Sequence, residues 1–442
     1  MTISEPLHLF GGAGVELEYM IVDADTLDVK PLTDEVLKAV NGSYSENYNK
    51  PGVCWSNELA LHVIELKTGE PTPSLADFVS LFQQDVGQIN TILRKFNARL
   101  MPSGAHPWMD PFREARLWPH HHSAIYEAFN KIFDCRGHGW SNLQSAHLNL
   151  PFAGDEEFGR LHAAIRVLLP ILPALAASTP IVDGRRQDFL DYRMEVYRTN
   201  SSKIPSLTGE VIPEPVFTRA DYDTRIFRRI YHDIKPYDPD TVLQHEWLNA
   251  RGAIARFDRS AIEIRILDVQ ECPLADLAVA SLIINTLRAL VDGLWSDPAH
   301  LQQWRTSALA DILFKTVKTA EKNKISNGDY LNIFGLQKRE EMTAGDLWCH
   351  ILQEIKSRYP LPEVFLEPLQ IITQQGTLAS RIVRQLNNDL SRPALNRVYG
   401  QLCECLAHGV MFTDELIIGS PEKTTRQDQV SSHLPMMERP SR

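Results

Sequence analysis

Two short stretches carry acids at a spacing that can do chemistry: Gly14-Val15-Glu16-Leu17-Glu18-Tyr19 and Ala261-Ile262-Glu263-Ile264-Arg265-Ile266. In an extended strand, residues two apart point to the same side. Glu16 and Glu18 then share one face, with Val15 and Leu17 on the other. Glu263 and Arg265 likewise share a face opposite Ile262, Ile264 and Ile266. Carboxylates lined along a sheet are costly unless a cation neutralises them. Their oxygens suit hard ions such as Mg2+ or Mn2+. An ordinary half-exposed strand shows the same local pattern, so a Glu-x-Glu alone decides nothing.

Two further segments extend the set. In Asn57 to Thr68 the second half alternates as a strand, with Leu61, Val63, Glu65 and Lys67 on one side. Glu58 has the opposite parity and joins Glu65 only across a loop or bulge. Ser141 to Phe152 reads as a strand with Ser145, His147 and Asn149 on one face. Several acids and one imidazole, with Lys67, Asn149 and Arg265 alongside, suit two or three Mg2+ or Mn2+ ions rather than zinc. With an arginine close by, such a cluster suits charge neutralisation in phosphoryl transfer.

Other candidates are weaker. Arg193 and Arg198 each offer a fork for a substrate carboxylate. On a helix their spacing puts them on different faces, and Arg193 is the preferred one. Arg256 either meets phosphate or pairs with Asp258. The run His120-His121-His122 is set aside as a metal site because adjacent residues point apart. Cys403 and Cys405 read as helix packing, and Cys54 has no base in view.

The elements that must position these groups follow from pattern. Turn residues at Asp23 to Asp28 follow the first strand, and Thr33 to Val40 suggests a helix capped by Thr33. Asn41 to Gly52 reads as loop. Leu75 to Leu93 has apolar residues at helical spacing, Ala98 to Met101 is a short strand, and Trp108 to His122 is a loop of functional composition. Tyr126 to Phe133 is helical, Asp155 to Ala177 is a long apolar helix, and another helix begins within Arg185 to Asn200. Tyr222 to His232 is also helical, and Gly252 to Gln270 forms a hairpin. Pro273 opens a buried helix. From Leu301 to about His408 the pattern is helical in four segments, Leu301–Lys322, Ala344–Arg358, Pro368–Leu390 and Pro393–His408, and Gly419 to Arg442 reads as a disordered tail.

The 442-residue chain has 43% apolar and 23% charged residues, ordinary for a soluble globular protein. A net charge of −11 excludes nucleic-acid binding by the electrostatics of the whole chain. Six scattered cysteines without a Cys-x-x-Cys pair suggest reduced thiols and a cytoplasmic location. Met1 to Phe10 lacks the features of a signal peptide, and the apolar run at Ala163 to Ala177 is broken by Arg166, Pro170 and Pro173, so no membrane span is expected.

In this order the motifs resemble the glutamate–cysteine ligase family of the carboxylate-amine ligase type, in the glutamine synthetase superfamily. They are Gly-x-Glu-x-Glu, then Glu-Leu-x-Thr after an upstream acid, a His on a strand, and Ile-Glu-Ile-Arg. Ala176 to Gly184 and Asp191-Tyr192-Arg193 fit the same style. The resemblance runs from about Gly11 to Trp295.

It implies an α+β fold: a large antiparallel sheet curved like a half-barrel, with helices on its outer face. A catalytic core would span 1–300, and a helical part, 301–418, would pack on it before the tail at 419–442. It implies ATP with Mg2+ or Mn2+, a carboxylate substrate such as glutamate, and an amino acid or amine as second substrate. Carried over by residue, Glu16, Glu18, Glu58, Glu65, His147 and Glu263 would be metal ligands. Lys67, Asn149 and Arg256 would serve the nucleotide, Arg265 catalysis, and Arg193 or Arg198 the substrate. Glu58 stands where an Asp is sometimes found, and Asn149 where many relatives repeat a His. The alternatives are a phosphoryl-transfer kinase for a guanidino or carboxylate substrate and a non-catalytic nucleotide-binding relative. Oligomeric state and the identity of the amine stay open.

Overall fold

A computed structural model describes residues 6–121, 123–337 and 339–414; the expected tail at 419–442 lies outside the described residues. Its centre is an eight-stranded sheet built from β1 (Gly14–Asp23), β2 (Asn47–Lys50), β3 (Val53–Asn57), β4 (Val63–Thr68), β5 (Ala98–Met101), β6 (Ser145–Pro151), β7 (Ala253–Arg256) and β8 (Ala261–Asp268). The spatial order is β2-β3-β4-β1-β6-β8-β7, and β5 also pairs with β1. Every pairing is antiparallel. The chain therefore adopts the expected class, an α+β fold around a large antiparallel sheet.

β1 is the hub. One edge pairs β4 along Glu16 to Met20. The other edge is divided, with β6 along Gly14 to Leu17 and β5 along Met20 to Asp23.

Period-2 alternation makes the sheet two-faced. Val15, Leu17, Ile64, Leu66, Leu148 and Ile264 on the back face are all buried. They join one core with helices α1 (Ala76–Leu93), α2 (Gly154–Leu168) and α3 (Pro273–Val291). α3 is long and apolar enough to cross a membrane by length and composition, but 78% of that stretch is buried inside the fold. Pro273 occupies its first turn, where a missing N–H costs nothing.

The C-terminal helices seal the molecule by polar anchors as well as apolar packing. Tyr330 OH donates to Val167 O at 2.7 Å and Trp348 Nε1 to Ile171 O at 2.8 Å. The buried Arg381 pairs with the buried Glu271.

Several local expectations need correction. Asn41 to Gly52 contains β2, a polar edge strand whose alternation is masked by its lack of apolar residues. The long helix expected over Asp155 to Ala177 ends at Leu168, because Pro170 and Pro173 remove helical N–H donors and force a 3-10 turn and a fresh short helix. Thr33 does not cap its helix. Its hydroxyl donates instead to Val63 O at 2.9 Å, tying that helix to β4.

Candidate functional site

Register alone assembles the front face. Glu16 of β1 stands between Lys67 of β4 and His147 of β6, and Glu18 stands opposite Glu65. Asn149 of β6 lies between Gly14 of β1 and Glu263 of β8. Paired side chains in such a sheet are close neighbours. A Cβ at position 14 would lie 3.2 Å from Asn149 Cβ, so Gly14 leaves the room in which Asn149 turns to donate to Glu16 Oε1 at 3.0 Å. Glu58 reaches the group from the loop between β3 and β4, resolving its opposite parity.

Two triads of metal-ligand type result: Glu16, Glu65 and His147, and Glu18, Glu58 and Glu65, each with ligand atoms within 4.8 Å of one another. Glu65 belongs to both. The donor chemistry, carboxylate oxygens with a single imidazole, fits Mg2+ or Mn2+. Glu263 stands outside both triads; its carboxylate is held by Arg265 Nε at 2.5 Å and Arg256 Nη1 at 3.4 Å.

Electrostatics marks the same cluster. Burial, then the charges of Glu65 and Glu18, push Glu58 well above the usual carboxylate range. Burial and the Glu16 charge raise Glu65 to about 7, against the pull of Lys67, whose Nζ lies 2.7 Å from Glu65 Oε2. Burial would raise Glu16 too, but its hydrogen bond and attraction to His147 hold it below that range. Burial opposes the charge on His147, yet Glu16 and Glu18 raise it to about 9. Ser145 fixes the geometry: its N–H and hydroxyl both donate to Glu18 Oε2, at 2.7 and 2.9 Å, and its Oγ lies 3.0 Å from His147 Nε2. Acids that hold one another partly protonated are the arrangement that divalent cations relieve.

A β-bulge shapes the other side. Between Ile264 and Leu267 the pairing of β8 with β6 shifts by one residue. Strict alternation would put Asp268 on the back face. The bulge instead sets it opposite Ser145, on the front. There Asp268 accepts from Ser178 N at 2.7 Å, Thr179 Oγ1 at 3.0 Å and Arg193 Nε at 2.5 Å. Arg193 Nη1 and Nη2 approach Arg265 O at 3.4 and 3.3 Å. Arg193 thus lies at the site with its donors engaged by protein. Arg198 lies elsewhere: it forks onto Glu195 and covers the Phe314 ring. Arg256 pairs with both Asp258 and Glu263.

Two cavities open on this face and share Glu18, Glu58, Tyr126, Phe129, His147, Trp247 and Arg265. The outer one, about 500 Å³, is bordered by Glu16, Glu65, Lys67, Arg256, Arg259 and Glu263. The inner one, about 280 Å³, runs between Leu59, Val63, Phe129, Trp140, Leu143 and Trp247.

Sequence reasoning missed these walls. Tyr126 and Phe129 come from helix α4 (Ser123–Phe133), one turn apart; Arg193, Tyr197 and Asn200 share a face of helix α5 (Tyr192–Asn200). That i, i+3 and i, i+4, i+7 spacing was the available signal. Trp140 comes from a one-turn helix, His138–Ser141, and Trp247 from a 3-10 helix, Glu246–Leu248; Phe129 touches both, with ring centroids 5.3 and 5.9 Å away.

Comparisons with known proteins point one way. The sequence profile of glutamate-cysteine ligase family 2 matches residues 13–401. An Archaeoglobus fulgidus protein without an assigned activity is 35% identical over 281 residues, 64% of this chain and 75% of that protein. A Rubrobacter xylanophilus protein, provisionally named glutamate–cysteine ligase 2-3, is 26% identical over 188 residues, 42% of this chain but only 47% of the relative. Among solved structures, glutamate–cysteine ligase of Francisella tularensis in complex with AMP superposes with a TM-score of 0.57 at 12% identity, covering 89% of this chain and 88% of that one. At that identity the likeness is one of fold.

Proposed function

This chain belongs to glutamate-cysteine ligase family 2, and from that membership we propose that it is an ATP-dependent carboxylate–amine ligase, joining glutamate or a similar acid to an amine through an acyl phosphate. The observation that carries the reading is the pair of acidic triads sharing Glu65 at the junction of two cavities.

A carboxylate and ATP repel, by about 4 kcal/mol for two unit charges 4 Å apart at an effective dielectric of about 20. Mg2+ or Mn2+ held by Glu16, Glu18, Glu58, Glu65 and His147, with Glu263 at the margin, would supply the countercharge when bound. The chain does the rest. Lys67 and Arg256 border the outer side and orient the phosphates, with Asn149 beside them on Glu16. Arg265, shared by both cavities, neutralises charge on the transferring group. Arg193 acts from behind, fixing Asp268 and the Arg265 carbonyl. The substrate carboxylate attacks the γ-phosphorus and ADP leaves. The amine then attacks the acyl carbon, and phosphate leaves carrying the electron pair and the amine proton. Proximity in the enclosed junction favours the second step over hydrolysis.

Mass spectrometry of products from purified protein, ATP, Mg2+, glutamate and mixed amines tests this. Amide and phosphate in equal amounts are expected. A stable phosphorylated product without amide would favour a kinase, and no ADP above background would refute turnover altogether.

A further inference from the structure

The two cavities have one hydroxyl in common. Among the described residues that line both, Tyr126 of α4 alone carries one. Its oxygen accepts from Asn57 Nδ2, at the end of β3, at 3.1 Å. The same amide nitrogen approaches Glu58 O at 3.2 Å, which fixes its direction. A phenol oxygen both donates and accepts, and its hydrogen and its favoured acceptor position lie in the ring plane on opposite sides. With Asn57 on one side, the hydrogen is turned to the other, away from β3.

Most other polar groups nearby are engaged with protein. Arg265 is tied to Glu263 through Nε at 2.5 Å, and Arg193 to Asp268. His147 lies between Glu16 and Ser145, and the Ser145 hydroxyl donates to Glu18. The Tyr197 hydroxyl has no partner, but its oxygen is buried and Tyr197 lines the inner cavity alone. On the ligase reading above, the phosphates lie on the outer side with Lys67 and Arg256, and the carbon skeletons lie in the inner cavity. The acyl carbon that joins the two then stands where the cavities share their walls, beside Tyr126.

We propose that Tyr126 is a catalytic residue of the amide-forming step, its hydroxyl donating to the carbonyl oxygen of the acyl phosphate as that oxygen takes on charge. The assignment rests on the ligase reading. In the step itself the amine nitrogen forms a bond to the acyl carbon, and the π pair of the carbonyl moves onto its oxygen. Tyr126 holds that oxyanion by a hydrogen bond and keeps its own proton. The carbonyl then re-forms and the carbon–oxygen bond to phosphate breaks. Phosphate leaves with the electron pair and takes up the proton that nitrogen loses. A donor oriented before the substrate arrives needs no reorganisation at the moment charge develops. The earlier step draws charge away from the carboxylate toward phosphorus, so it makes no call on this hydroxyl.

Two measurements read the two steps apart. ATP labelled with heavy oxygen at the βγ bridge, given with glutamate and Mg2+ but no amine, scrambles its label when acyl phosphate forms and reverts. Hydroxylamine, used as the amine, reports the second step as hydroxamate. The native chain is expected to do both; no scrambling and no ADP from it overturns the ligase reading and this inference together. Tyr126→Phe keeps the ring and removes the hydroxyl. It should scramble label at close to the native rate, hold KM for ATP and glutamate, and lose about 10²-fold in kcat for hydroxamate, the scale of one oxyanion donor. A parallel loss of scrambling, or a near-native kcat for hydroxamate, overturns the inference and leaves the ligase reading standing. Asn57→Ala leaves the hydroxyl in place but undirected, and should slow the same step by less; an unchanged rate counts against the orientation on which the inference depends. Trp247→Phe alters another aromatic wall of the junction, and a loss confined to the second step and as large as that of Tyr126→Phe would reduce both rings to lining and overturn the assignment.

Discussion

Arg193 Nε lies 2.5 Å from Asp268 Oδ1, and the two side chains are 2% and 0% exposed. The bulge in β8 is what brings this carboxylate round to the arginine. Breaking a buried pair by neutralising one partner leaves an uncompensated charge. Asp268→Asn should therefore lower unfolding free energy by about 3–5 kcal/mol. Urea denaturation measures it, and a loss below about 1 kcal/mol would show that the pair does not act as described.

Glu65→Gln should separate stability from function. The substitution removes one acid from a crowded set of four, Glu16, Glu18, Glu58 and Glu65, and keeps the shape, so the thermal midpoint should hold or rise. Turnover should fall by about 10²-fold or more if the group serves the transition state. Near-normal turnover with an unchanged midpoint would remove Glu65 from the chemistry.

Divalent ions should stabilise the free protein. Binding to the folded state alone adds RT ln(1 + [L]/Kd), about 2.7 kcal/mol at a hundredfold excess over Kd. Mg2+ or Mn2+ should raise the melting temperature of the native chain, EDTA should reverse the rise, and Glu16→Gln should blunt it. A flat titration of the native chain speaks against a metal at the triads.

His106 predicts an acid limb to stability. The ring is buried, its Nε2 donates to Leu27 O at 2.8 Å, and its Nδ1 accepts from Trp108 N at 3.2 Å. Both nitrogens are satisfied only in the neutral form. Burial lowers its pKa from 6.5 to about 3. The unfolded chain takes up this proton below its ordinary pKa while the folded chain resists. This contribution is therefore intact above pH about 6.5 and is lost as pH falls toward about 3, on the order of 2 kcal/mol of it by pH 5. His106→Gln should show a shallower fall between pH 7 and 5 than the native chain, and parallel slopes would contradict the assignment.

What could be read beforehand was whatever obeys the period of a strand. Glu16, Glu18, Glu65, Lys67, His147 and Asn149 fall on one face because alternation holds through β1, β4 and β6. Asp268 could not be found that way, since a one-residue bulge reverses parity and leaves no mark in composition. Glu58 needed a loop whose path only packing defines. The aromatic walls were hidden for another reason: Trp140 and Trp247 sit on helices of four and three residues, too short to show a period, and converge only once the segments that carry them close over the sheet. Arg193 lines the inner cavity, but its fork is turned toward protein, because the Asp268 that claims it was invisible.

β1 is hydrogen-bonded along both edges, to β4 on one and to β6 and then β5 on the other. To slide by two residues it would have to break all three ladders at once. The spacing between the Glu16 and Glu18 carboxylates is thus a ruler set at folding rather than an adjustment made on ligand arrival. Backbone amides of this strand should be among the last in the molecule to exchange with deuterium, and ligand should add little to their protection.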